Sequence, residues 1–156
     1  MGVSVTLKIC ELVSIVLSAL VAGVFWGPWV GLTRSMASFE PEIFLAIVRR
    51  LSRNIAPVMT FLMPVALLSI VPALIFSFGE RPKTFYLFLG GLFLFVVALG
   101  VTMFVEVPIV KQIETWTVAT LPDNWKQLRD RWGAFHVVRV VVSVAGLGLL
   151  VAGAIF

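Results

Sequence analysis

Six residues near the C-terminal end are spaced to share one side of a helix. Trp125, Arg129, Trp132, His136, Arg139 and Ser143 follow one another at steps of 4, 3, 4, 3 and 4. Such steps stack side chains along a single seam. The chemistry on this seam is a lone imidazole, two guanidinium groups, two indoles and a hydroxyl. The run continues into 17 uncharged residues, Val140 to Phe156. Lipid solvates neither guanidinium nor imidazole cheaply, so the seam must face the protein interior. An arginine as deep as Arg139 demands an acid. Glu106 is the acid expected at its depth, since it follows the 22 uncharged residues Thr84 to Val105 and precedes Val107-Pro108. Glu114 and Asp130 lie nearer water, and Glu11 belongs near the opposite surface.

The catalytic candidates are therefore His136, Arg139 and Glu106, with Trp132, Arg129 and Trp125 as substrate contacts. A carboxylate, a guanidinium and an imidazole in one cluster can support proton transfer. Each candidate also has a plainer role. Glu106 and Arg139 can form a structural ion pair. His136 can be a hydrogen-bonded packing residue. Trp125 and Trp132 can anchor the chain at the interface, and Arg129 can meet headgroups. No metal site is expected. The one histidine does not converge with Cys10 and Glu11, and a single cysteine excludes multi-cysteine zinc sites. There is no phosphate loop, nucleophile elbow or dinucleotide fingerprint.

The elements that must hold this seam follow from composition. Of 156 residues, 60% are hydrophobic and only 13% are charged. A soluble domain this small cannot bury so much apolar surface. A soluble enzyme, a disordered chain and a nucleic-acid module are thereby excluded. The net charge of +4 is read as loop cations of a membrane protein, and the partner is the lipid bilayer. Uncharged runs Leu12–Thr33, Asn54–Gly79, Thr84–Val105 and Val140–Phe156 each approach the ~20 residues that cross ~30 Å of hydrocarbon. The expected fold is an all-α, four-helix, up-down bundle in one transmembrane domain. Its spans are placed at about 9–33, 54–79, 84–106 and 124–156, the last entering the membrane near 136. The first run is expected to be retained rather than cleaved, because no clean small-residue cleavage site accompanies it.

An amphipathic segment at the interface is expected between spans one and two. Ser38 is its anticipated N-cap, and Ile43, Phe44, Ile47, Val48 and Leu51 form its apolar stripe. Ala19, Gly23, Gly27 and Gly31 repeat every four residues and predict close approach by another helix. That helix belongs either to this chain or to a second copy in a homo-oligomer. Gly90-Gly91 in span three and Gly146 and Gly148 in span four are further packing positions. Loops one and three carry nine cations against three on the other side, which places those loops in the cytoplasm. The membrane is a plasma membrane, or an inner membrane in a bacterium.

Several of these residues also carry a resemblance. Glu106-Val107-Pro108-Ile109, Trp116, Trp125, Arg129-Asp130-Arg131-Trp132 and Phe135-His136-Val137-Val138-Arg139 together resemble the signature of anthrone-oxygenase-like membrane proteins, many of them filed as a domain of unknown function. The aromatic and glycine-rich Phe25–Gly31 and the step Met63-Pro64 extend it loosely. Where that family often has asparagine after Pro-Ile, this chain has Val110. The resemblance implies a cofactor-independent oxygenase acting on polycyclic phenolic substrates, with a lipophilic aromatic ligand between spans three and four. In that reading His136 is the base, Arg139 stabilises an enolate or phenolate, and Trp132 stacks on the ring. The competing expectation is a non-catalytic subunit, or a lipid- or quinone-binding module, of a membrane complex.

Overall fold

In a computed structural model, residues 2–156 are described, with side chains from residue 5 onward. Helix α1 spans Gly2–Gly31, α2 Pro41–Ser77, α3 Pro82–Val101, α4 Val107–Glu114 and α5 Trp125–Ile155. A π-helical turn, Thr102–Glu106, joins α3 to α4 without a break. Short 3-10 turns occupy Thr33–Ser38 and Val118–Thr120. There is no strand among the described residues. Four continuous helical stretches are long and apolar enough to cross a membrane: Val5–Ser38, Pro41–Ser77, Pro82–Glu114 and Trp125–Ile155.

These stretches form a closed ring. Helix α1 packs on α2 and α5, and α3 packs on α2 and α5. Both termini and the α2–α3 turn lie at one end. There Lys8 Nζ donates to the Ala154 carbonyl at 2.8 Å, and Arg81 reaches Glu11 at 3.1 Å. The turn itself is tight because Gly79 takes φ +76°, a conformation that a Cβ disfavours. The opposite end holds the α1–α2 and α4–α5 connections. This is the up-down topology. Apolar side chains such as Phe61, Leu68, Phe93 and Phe104 point outward, where lipid covers them.

Small residues set the α3–α5 contact. A Cβ on Gly91 would meet Leu150 Cδ2 at 2.7 Å, and one on Gly153 would meet Phe88 Cδ2 at 2.8 Å. Gly146 sits against Phe95 in the same way. Thr84 Oγ1 donates to the Gly153 carbonyl at 3.0 Å, within this interface. Gly148 is not part of it, and a Cβ there would meet nothing within 4 Å. The same holds for Gly23, Gly27 and Gly31. The α1 ridge therefore faces outward, and no helix of this chain packs on it. The spacing defines a ridge but not which way the ridge turns.

A second, smaller core caps the far end. It joins Met36 from the 3-10 turn, Phe44, Leu45 and Val48 from the start of α2, Ile109, Ile113 and Trp116 from the α4 region, and Trp132 from α5. The amphipathic segment is thus the first part of α2, running unbroken into span two, with its apolar side turned to α4 and α5. Ile43, expected in the stripe, is exposed, while Leu45 is buried. Arg49 donates to the Trp116 carbonyl and ties α2 to the end of α4. Ser38 is not the N-cap. Glu40 occupies that position without a side-chain bond, and the Ser38 hydroxyl donates to the Ser35 carbonyl at 2.7 Å.

Candidate functional site

Glu106 reaches the bundle interior on the side of its helix that carries the buried stripe of α3, just after a π-helical turn. Along α3 the buried positions are Thr84, Phe88, Gly91, Phe95 and Ala98, at steps of 4, 3, 4 and 3. At about 100° per residue Glu106 stands about 40° from Thr102, the next position of the stripe, and Val105 about 60° to its other side. At this point the Val107 N–H bonds to the Thr102 carbonyl, five residues back. One extra residue is absorbed, and the stripe resumes at Glu106, Ile109, Ile113 and Trp116. Pro108 contributes, since it has no N–H to hold an α-helical partner four residues back. π-turns of this kind recur at functional sites.

The seam on α5 faces the interior, with Arg129, Trp132, His136, Arg139 and Ser143 all buried. Arg139 is the hub. Its Nη2 lies 3.2 Å from Glu106 Oε2 and 2.6 Å from His136 Nδ1. Its Nη1 donates to Thr102 Oγ1 at 3.2 Å. Its guanidinium also sits 4.5 Å from the ring centroid of Phe25, a cation–π contact. His136 Nε2 lies 3.1 Å from the Phe25 carbonyl oxygen. Pro28 has no N–H to offer the Val24 carbonyl, so this turn of α1 is short of a helical donor.

Three buried atoms in the cluster have no hydrogen-bond partner among the described residues: Glu106 Oε1, Trp132 Nε1 and Arg139 Nε. Unmet polar capacity at this depth is costly unless something else satisfies it. Beside these residues lies a cavity of about 250 Å³, lined by Glu106, Trp132, His136 and Arg139. Its other walls are mostly apolar: Val24, Phe25 and Pro28 from α1, Leu51, Ile55 and Met59 from α2, and Val107 and Val110 from α4. Lys111 and Glu114, both exposed, complete the lining on the α4 side. A few polar groups converging on an apolar hollow is the ordinary form of a small-molecule site.

The expected residues divide into two groups. Glu106, His136, Arg139 and Trp132 meet at this cavity. Trp125 and Arg129 do not line it. Trp125 packs on Phe44, with ring centroids 5.7 Å apart, and belongs to the cap. Arg129 pairs with Asp130 at 2.8 Å, lies over the Trp125 ring and lines a separate hollow with Arg34 and Thr33. The cavity is also not confined to spans three and four, because α1 and α2 form much of its wall. Phe25 and Thr102 were not anticipated as site residues. Phe25 acts through its backbone carbonyl and its ring face, which a residue-type search does not register. Thr102 is one of three hydroxyls in span three, with Thr84 and Tyr86, and the only one at the Glu106 end, which was the one available signal.

With this geometry in view, comparison with known proteins identifies a lineage. The anthrone oxygenase family profile matches residues 53–149. That stretch covers more than half of the chain and includes Glu106, Trp132, His136 and Arg139. No curated protein and no solved structure matches the chain. The protein is a four-span membrane protein and belongs to the anthrone oxygenase family.

Proposed function

We propose that this chain is an integral-membrane oxygenase that needs no cofactor and acts on a lipophilic polycyclic phenol or its keto tautomer, held in the cavity beside Glu106, Trp132, His136 and Arg139. The observation that carries the reading is the convergence of an ion pair and an imidazole on an otherwise apolar cavity of about 250 Å³. An activated ring CH₂ next to a conjugated carbonyl system loses a proton to a protein base. The carbanion passes its electrons to dioxygen and forms a C–O bond. The resulting hydroperoxide loses water and leaves a ketone, so CH₂ plus O₂ becomes C=O plus H₂O. The fixed charge of Arg139 lowers the cost of the enolate oxygen, and the Trp132 indole offers a flat wall to an aromatic ring.

The cation count supports a cytoplasmic location for the cavity end. Setting aside the buried Arg129 and Arg139, seven of the nine cations remain there against three at the other end. The outward ridge of Gly23, Gly27 and Gly31 supports pairing with a second copy. The test is oxygen uptake and quinone formation from an anthrone by detergent-purified protein. Met59→Trp fills the cavity and is expected to lower turnover at least tenfold with unchanged helical content. A wild-type protein that consumes no oxygen, yet retains a lipophile in native mass spectrometry, is a binding module instead.

A further inference from the structure

The hydrogen bonds of His136 determine what its ring can do. A peptide carbonyl only accepts, so the Nε2 that faces the Phe25 carbonyl at 3.1 Å must carry the hydrogen. A guanidinium only donates, so the Nδ1 that faces Arg139 Nη2 at 2.6 Å must offer its lone pair. The ring is then the neutral Nε2–H tautomer, with both nitrogens engaged. It has no lone pair left for a ligand proton. Protonating Nδ1 would set an N–H against a guanidinium N–H and give two cations in contact. Glu106 differs. Only its Oε2 meets Arg139. Its Oε1 is buried with no cation on it and no hydrogen bond of full geometry, the Trp132 indole N–H being the donor beside the carboxyl, and the residue lines the cavity.

We infer that Glu106 is the proton acceptor of this cavity and that His136 is a positioning residue, which holds the Arg139 guanidinium between the π-turn and α1. The inference rests on the oxygenase reading for the identity of the proton and on hydrogen-bond direction for everything else. The proton leaves the activated ring carbon and bonds to the Glu106 carboxylate. The electron pair stays on the substrate, beside Arg139. His136 exchanges no proton. It anchors Arg139 to the Phe25 carbonyl, while Thr102 Oγ1 anchors it from the other side.

His136 is the only histidine in the chain, which makes the test direct. Protein labelled with ¹⁵N-histidine in detergent gives one ring spectrum. The expected spectrum shows a protonated Nε2 and an unprotonated Nδ1 at neutral pH. An Nδ1–H tautomer or an imidazolium overturns the inference without reference to any substrate. A second arm uses an anthrone under nitrogen and follows exchange of its acidic C–H with deuterated solvent. Glu106→Gln is expected to slow exchange by about 10²–10⁴-fold, the usual worth of a positioned base. In His136→Gln the amide N–H and C=O replace the ring's donor and acceptor and supply no base. It is expected to slow exchange by no more than about tenfold, whereas a catalytic base at His136 predicts the larger loss. Exchange that survives Glu106→Gln and vanishes in His136→Gln removes Glu106 from the step. Wild-type protein that neither exchanges nor oxidises the anthrone counts against the oxygenase reading, and the ring spectrum still decides how His136 is held.

Discussion

The bundle buries a carboxylate at each end, and the two are handled differently. Glu11 on α1 is 1% exposed and Glu106 is 3% exposed. Glu11 Oε2 lies 2.9 Å from Lys8 and its Oε1 lies 3.1 Å from Arg81. Both cations reach it from partly exposed positions, 53% for the Lys8 side chain and 34% for that of Arg81. Glu11 lines neither of the two hollows described above. Each acid has one oxygen outside hydrogen-bond geometry, but Glu11 Oε2 still lies against Lys8, whereas Glu106 has a single cation, itself buried, and no cation on Oε1. A buried acid in a membrane helix is thus not by itself a mark of chemistry. One acid joins the chain ends to a turn; the other leaves unmet capacity beside a cavity.

The largest expected effect breaks this contrast from the Glu106 side. Glu106→Leu leaves the Arg139 charge buried without its acid. The expected loss is about 3–5 kcal/mol of unfolding free energy, read by chemical denaturation in detergent. Adding Arg139→Met should restore most of it, because the pair then leaves together. Glu11→Gln should cost no more than about 1 kcal/mol, since Lys8 and Arg81 can turn towards water. Equal losses from Glu106→Leu and Glu11→Gln would erase the distinction between the two ends.

How much of this was legible in the sequence depends on which physical rule was involved. The α5 seam follows from helical spacing, and the pairing of Arg139 with Glu106 follows from depth and the cost of a lone ion. Both are local or nearly so. The π-turn was not legible, because it is a one-residue change of pitch that composition does not mark. Helical spacing alone nonetheless keeps Glu106, about 40° from Thr102, within the buried stripe. The cavity wall on α1 was also hidden, since Val24 looks like an ordinary lipid-facing residue until the ring closes. Trp125 and Arg129 share the seam's phase with His136. They lie about three and two turns earlier, however, where the cap core rather than the cavity meets the helix.

The glycines sharpen the comparison of an inward and an outward helix face. Gly91 on α3 has Leu150 and the Gly146 carbonyl within 3.1 Å of where a Cβ would stand. Gly91→Ala must therefore push α3 from α5 or displace Leu150, at an expected cost of about 1–3 kcal/mol. Thermal unfolding in detergent measures it. An unchanged midpoint would mean that the α3–α5 seam yields more easily than its contacts indicate.

Gly27 is the opposite case and carries the smallest expected effect on the fold. A Cβ there meets nothing within 4 Å, and Gly23 and Gly31, one turn to either side, are equally open. Within one chain, Gly27→Leu adds a side chain that lipid accommodates, and stability should move by less than ~0.5 kcal/mol. The ridge matters only if another backbone lies on it. Small residues four apart permit backbones to approach closely, and a leucine in that line holds them apart. Cross-linking in native membranes, followed by denaturing electrophoresis, reads this directly. If two copies pair through α1, the cross-linked dimer falls sharply in Gly27→Leu while the monomer's unfolding midpoint stays put. If dimer yield is unchanged, the ridge faces lipid and the smooth face of α1 is a surface without a partner. A fall in the midpoint itself would contradict the outward placement of the ridge.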